Sequence, residues 1–411
     1  MALGLAVAAC GGVDGEEGST AGGRDEPDAV GAVVLSPDAE RATAAGDAPV
    51  ADWVAGVNDA GWRFHRTLEG NAVSSPTSIG LAFSFARGGA SPGTGEMLDE
   101  IFGFPAGEAN HDAANAVSQA LAGAGRGTTT LETANRLFVV DGFEVNQDFV
   151  DLGARSYGAG VATMPGDAEG KAAVVNEWVD ETTRGLIPQI VTSELMAPVL
   201  VELVNAVYLK ADWLHPFHPG LTADEPFTNG DGTEVDVPFM GWEEPVAVPY
   251  ADLGEAEAVG LPYEDGDLTM WLVVPTADDG LAGLEESLDA EDLASLGDRA
   301  TATSLDLSLP TWEAELGMAN LLDWLGPEGL RGASFGGIAP GLELSHAVHG
   351  AKIVVDEEGT EAAAATALGF RVSATEPASA VEVVADHPFL WALVHEPTDS
   401  IVFTGRVTDP S

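Results

Sequence analysis

Two pairs of histidines stand out among the residues that could do chemistry: His215 and His218 in His-Pro-Phe-His, and His346 and His349, three residues apart. Imidazoles at such spacing can share a metal ion. A zinc site needs three or four convergent ligands, however, and neither pair has a Cys or Glu at ligand spacing, so the sequence argues for no metal and no cofactor. Ser373 and His349 could be written with an acid as a hydrolytic triad. No Gly-x-Ser-x-Gly elbow, phosphate-binding loop or dinucleotide fingerprint accompanies them. The most informative segment is mechanical in composition: Asp356-Glu357-Glu358-Gly359-Thr360-Glu361-Ala362-Ala363-Ala364-Ala365-Thr366. Its small side chains could slip between two strands of an existing sheet, because each one pointing inward must fit an interior that is already packed. The same run also suits an Ala-rich helix or a linker.

Elements must position this segment, and the chain has the material for them. It holds 411 residues, 45% of them hydrophobic, enough for one large domain or two smaller ones. An apolar face at helical spacing runs from Trp53 through Val54, Val57, Trp62 and Phe64 to Leu68. Further apolar segments at 81–85 and 94–102 make the first third helical. Residues 131–140 read as a strand, 145–158 and 171–184 as helices, and 201–211 as a long buried strand of β-branched and aromatic residues. Strands follow at 256–263, 268–275, 303–309 and 342–355. The sum is an α+β domain over 51–411, with no internal repeat and no interior linker.

The formal net charge is −51, and three lysines (Lys171, Lys210, Lys352) stand beside thirteen arginines. That balance excludes nucleic acid as a partner, since phosphate binding needs concentrated Lys and Arg. The acidity belongs to the whole surface, which suggests adaptation to a saline habitat where salt screens self-repulsion. Residues 1–10 form a short apolar run ending at Cys10, the only cysteine, so no disulfide within the chain is possible. Val7-Ala8-Ala9-Cys10 resembles the lipobox of bacterial and archaeal lipoproteins, which implies lipidation of Cys10 and a lipid-anchored, extracellular or cell-surface location. The alternative is an ordinary signal peptide with an incidental cysteine, or no signal at all, because a basic n-region is missing and the run is short. Residues 11–50, rich in Gly, Ala and acids, read as a disordered tether. No stretch is long and apolar enough to span a membrane.

Taken in order, the landmarks of 51–411 resemble the serpin family of serine protease inhibitors. They are Asn71 with Ser75-Pro76-Thr77-Ser78-Ile79, then Asn176 and Gly185-Leu186-Ile187, then Val204-Asn205-Ala206-Val207-Tyr208 through Trp213 with Pro216-Phe217. Leu261-Pro262-Tyr263, Met270 to Pro275, Ser345-His346-Ala347-Val348-His349, the small-residue segment, Asp386-His387-Pro388-Phe389-Leu390 and Phe403-Thr404-Gly405-Arg406 follow. The resemblance implies three β-sheets, eight or nine helices and an exposed reactive-centre loop at about 357–385. In such proteins a protease attacks the loop, forms an acyl-enzyme, and the cleaved loop inserts as a new strand of the main sheet before deacylation. The serpin's own residues do no catalysis.

The resemblance also implies roles for residues. Glu357 to Thr366, Glu361 among them, become the hinge: Gly359 is expected to allow unusual backbone angles, Thr360 to be buried first, and Ala362 to Ala365 to insert at little cost. The bait bond falls at Ser373-Ala374, with Arg371 and Val372 as alternatives. The expected partner is an extracellular serine protease of elastase, subtilisin or trypsin type, or else a cysteine protease, met by a monomer. Ser75, Ser78, Asn176, Asn205 and His349 match a polar cluster that latches the sheet, and Trp213 matches the tryptophan where the loop joins it. Thr311 stands where many relatives carry a lysine facing the hinge glutamate, so no salt bridge to Glu357 is expected. The competing reading is a non-inhibitory serpin-fold binding protein, or a chain that proteases only cleave. It would favour bulky, charged or proline residues in the inserting part of the hinge, and Ala362 to Ala365 are none of these.

Overall fold

The computed structural model describes residues 39–264, 266–325, 330–360 and 380–411. The first half runs α1 (Val50–His65), β1 (Ala72–Ser74), α2 (Pro76–Arg87), α3 (Pro92–Phe102), α4 (Glu108–Ala124), β2 (Thr130–Val140), α5 (Gln147–Tyr157), β3 (Gly160–Met164), α6 (Ala168–Thr182), α7 (Ser193–Met196) and β4 (Val201–Asp212). Strands dominate afterwards: β5 (Ala223–Thr228), β6 (Glu234–Met240), β7 (Val246–Asp252), β8 (Ala256–Pro262) and β9 (Leu268–Pro275). Three short helices, α8 (Leu281–Ser287), α9 (Ala290–Ala294) and α10 (Leu296–Arg299), lead to β10 (Thr301–Pro310), β11 (Trp312–Asn320) and α11 (Leu321–Trp324). The remaining strands are β12 (Val348–Val355), β13 (Gly359–Thr360), β14 (Val381–Val384), β15 (Phe389–His395) and β16 (Ser400–Val407). Among the described residues, eight helices have five or more residues, and three more are four-residue turns.

Strand order is β11-β12-β13-β4-β2-β3 in one sheet and β1-β16-β15-β9-β8-β7-β10-β6-β5 in a larger array, with β14 beside β10. The larger array is two sheets joined at β10, which pairs with β7 over Thr301–Leu305 and with β6 at Leu309 and Pro310. Three sheets and α+β architecture are therefore present. β9, β15 and β16 are buried at every position and form the floor of the molecule. β12 alternates, with Ala351, Ile353 and Val355 inward, as expected for a strand with two different faces.

Two local features place the site. Ser75 caps α2: its Oγ accepts the Ser78 N–H at 3.2 Å, and Pro76 follows at the first helical position, where its missing N–H costs nothing. This fixes α2 beneath the six-stranded sheet. On the other face, α6 contributes Val175, Trp178 and Val179 to a second apolar cluster shared with Phe138 and Val204 of the sheet. The strand expected over 342–355 begins only at Val348. Upstream, Leu344 is bonded to Ala333 and Gly332, so this backbone satisfies itself against the 330–337 segment rather than a strand.

Candidate functional site

The segment singled out by its small residues starts as a built turn at the top of the six-stranded sheet. Asp356 organises it: Oδ1 accepts the N–H groups of Glu358 at 2.9 Å and Gly359 at 3.2 Å, while its own N–H donates to the Gly359 carbonyl at 3.0 Å. Burial pushes the Asp356 carboxyl above its usual range despite these donors. Trp213 grips the turn from β4's end. Its indole Nε1–H donates to the Asp356 carbonyl and its backbone N–H to that of Glu358, both at 2.9 Å. The ring stacks on Tyr263 with centroids 4.4 Å apart. Glu357 is held by a neutral donor, the Thr222 hydroxyl, and Thr311 contributes only a backbone bond to Pro238, so the hinge glutamate has no cation among the described residues.

From this turn the chain enters the sheet. Thr360 pairs with Val355 of β12 on one side and Ala211 of β4 on the other, and Gly359 pairs with Asp212. The Thr360 side chain is fully buried, its hydroxyl 2.6 Å from that of Tyr263. Gly359 departs from expectation. It is not in the left-handed region. What excludes a side chain is proximity, since a Cβ would lie 2.0 Å from the Ala211 carbonyl oxygen.

Below β13, β4 and β12 do not pair with each other among the described residues; β13 alone joins them. Between them lies a cleft of about 290 Å³ lined by Ser78, Leu203, Asn205, Phe335, His346 and His349, among others. Such a slot between two strands of one sheet, seeded at its top by a third, is what strand addition requires.

A profile of the family described as serpin (serine protease inhibitor) matches residues 63–410. The chain belongs to the serpin family. Among its relatives, a leukocyte elastase inhibitor of Xenopus tropicalis is 31% identical over 360 residues, covering 83% of this chain and 93% of the relative. Antithrombin-III of Mus musculus is 32% identical over 362 residues, 83% of this chain and 76% of its own. The solved structure of Serpin48 from Tenebrio molitor superposes with a TM-score of 0.76 at 27% identity, covering 88% of this chain and 98% of that one. The first of these relatives is a protease inhibitor by name, as is the family.

The polar cluster beneath a serpin's opening sheet can then be followed atom by atom. Ser75 Oγ donates to the Val402 carbonyl at 2.6 Å, and its backbone N–H donates to His349 Nε2 at 3.1 Å. His349 therefore accepts at Nε2. Burial holds its pKa down at about 3, so the ring is neutral. The Ser78 hydroxyl donates to Asn205 Oδ1, and Asn205 Nδ2 donates to Asn135 Oδ1 at 2.8 Å and to the Ala134 carbonyl at 3.3 Å. Four of the five expected residues thus join the start of α2 to both walls of the slot, Ser75 to His349 and Ser78 to Asn205, with the Ser78 N–H on Ser75 Oγ between them. Asn135 of β2 completes the Asn205 side; a single asparagine in a strand gave no signal of this in the sequence.

Asn176 does not join them. It sits on α6 and accepts the N–H groups of Ile190 at 2.9 Å and Val191 at 3.0 Å, while donating to the Val191 carbonyl at 2.9 Å. Helix α6 holds the same linker a second time through Lys171. This buried ammonium donates to the carbonyls of Met196, Ala197 and Val199, the last at 2.6 Å. The linker so pinned borders the slot.

The other candidate positions, Glu361 to Thr366, Arg371, Val372, Ser373, Ala374 and Cys10, lie outside the described residues. Of the histidine pairs, His346 meets Glu202 while His349 meets Ser75, so the two rings serve different partners. No group of three or more candidate metal ligands occurs among the described residues, and none of their helices is long and apolar enough to cross a membrane.

Proposed function

We propose that this serpin is an inhibitor that traps extracellular serine proteases as a covalent acyl-enzyme. The observation that carries the reading is β13: the first hinge residues are already the middle strand of the sheet, and the slot continues below them. Counting six residues down from Val355 and from Ala211 reaches His349 and Asn205; six up from Thr360 reaches Thr366. A strand added in the same register thus brings a small β-branched residue between the two walls of the polar cluster, and alanines before it. The protease supplies the chemistry, acyl transfer at its own nucleophile. Insertion carries the acyl-enzyme away from its positioned water and oxyanion hole, so the second half-reaction stalls.

The bait bond is Ser373-Ala374, which suits elastase- or subtilisin-like pockets; cleavage after Arg371 suits a trypsin-like one. The protein acts as a monomer at a prokaryotic cell surface, tethered by a lipid on Cys10. Incubation with elastase-, subtilisin- and trypsin-like proteases is expected to give an SDS-stable band at the summed mass, with a released C-terminal fragment starting at Ala374. Complete cleavage with no such band would assign the chain to serpins that proteases merely cut.

A further inference from the structure

Two alanines on α2 make room in the cleft. Ile79, Ala82, Phe83 and Ala86 share one helix face, at the spacing i, i+3, i+4, i+7, and all four line the space. From Pro76 to Phe85 every residue of the helix is buried except Ala82, and Ala86 also stays partly accessible. Single methyl groups thus stand where larger side chains would close the interior. From the segment before β12, Leu342 and Leu344 line the same space and are likewise only partly buried.

The cleft is built rather than loose. Asn176 fixes Ile190 and Val191, and the Lys171 ammonium fixes Val199, so the linker side of the lining is hydrogen-bonded to α6. A preformed, mostly apolar cavity with a few polar groups is the common form of a small-molecule site. Its volume of about 290 Å³ is about twice the roughly 150 Å³ at which an apolar cavity takes up benzene. A fused two-ring molecule matches it in size.

One polar group in the lining lacks a partner. His349 is 6% exposed and receives the Ser75 N–H at Nε2, so the proton of the neutral ring is on Nδ1. That Nδ1–H has no acceptor among the described residues. An unmatched donor on a side chain more than nine-tenths buried is a cost that an acceptor brought by a ligand removes. Charge narrows the class further. No Lys or Arg lines the cleft among the described residues, whereas Glu343 does and Glu202 is engaged with His346 at 3.1 Å. An anion finds no cation to pair with and meets a chain of net charge −51. A cation would face the N–H donor.

We propose that the cleft binds an uncharged, fused two-ring molecule whose single hydrogen-bond acceptor takes the His349 Nδ1–H. An occupant stands between β4 and β12, so it obstructs an added strand. That consequence rests on the inhibitor reading; the binding itself does not.

Coumarin, a neutral two-ring lactone, is the probe, in equilibrium dialysis against the full chain. Indole, a donor without a comparable acceptor, and 2-naphthoate, an anion, are the controls. Saturable one-site binding of coumarin is expected, with each control about tenfold weaker, the worth of one hydrogen bond. Ala82→Leu and, separately, Ala86→Leu fill the space from a helix that accepts leucine, and each should weaken coumarin about tenfold or more. No saturable binding to the wild type at millimolar coumarin, or binding that both variants retain, overturns the site. Indole binding as tightly as coumarin overturns the role given to His349. With a protease that forms the covalent band, saturating coumarin should lower its yield, and an unchanged yield overturns the obstruction. If no protease gives a band without coumarin, the inhibitor reading fails, and dialysis still decides the site.

Discussion

Thr360 and Gly359 show how narrowly the hinge is specified. Thr360 is fully buried with its hydroxyl on Tyr263, so Thr360→Arg would put a charge where only a small side chain fits. The expected result is loss of the covalent band with cleavage retained. Gly359→Ala places a methyl 2.0 Å from a backbone oxygen that cannot move without its strand, at a cost of about 1–3 kcal/mol, read as a lower denaturant midpoint. His349 carries a pH prediction. Its folded pKa of about 3 lies below the ordinary value of 6.5, so the unfolded chain takes up the proton first. Stability should be complete above the ordinary value and fall toward acid by up to about 1.4 kcal/mol per pH unit from this group. His349→Gln should flatten that part of the profile, while His111 and His395, also held low by burial at about 4, retain theirs.

At the scale of elements, α6 and the linker it holds are the part least legible in the sequence. The apolar periodicity of α6 and the β-branched run of β4 announce themselves within a few residues. The bonds from Asn176 to Ile190 and Val191, and from Lys171 to Val199, join positions 14 to 28 residues apart through backbone groups whose identity leaves no trace in composition. Resemblance therefore gathered Asn176 with the serines, and only geometry moved it to the linker. The turn at 356–360 was legible because its acids, glycine and threonine form one contiguous run; the pairing of Glu202 with His346 was not, because one acid and one histidine 144 positions apart look like surface. Asn176→Ala strands two backbone donors and should cost about 1–3 kcal/mol. Hydrogen exchange at Ile190 and Val191 should quicken first, and equal protection in the variant would show that the asparagine holds nothing.

The whole molecule carries its −51 charge with few internal counterweights. Many of its ion pairs, such as Arg63 with Asp59 and Arg184 with Glu132, are solvent-exposed and worth little individually. Self-repulsion should dominate, so the melting temperature is expected to rise as salt is added, and a flat response up to molar salt would remove the argument for a saline habitat.

Two residues of β13 also determine how the fold keeps time. Starting a strand is the slow part of any cooperative pairing, since the first contact orders several torsions for few bonds, whereas each later residue adds its own. With Thr360 already paired on both sides and Gly359 on the β4 side, that first step is complete in the described structure. On the inhibitor reading proposed above, closure after cleavage would be a zipper running from a fixed end, its rate set by the passage between walls rather than by a search. A competitor that must finish hydrolysis in the same interval races against propagation alone.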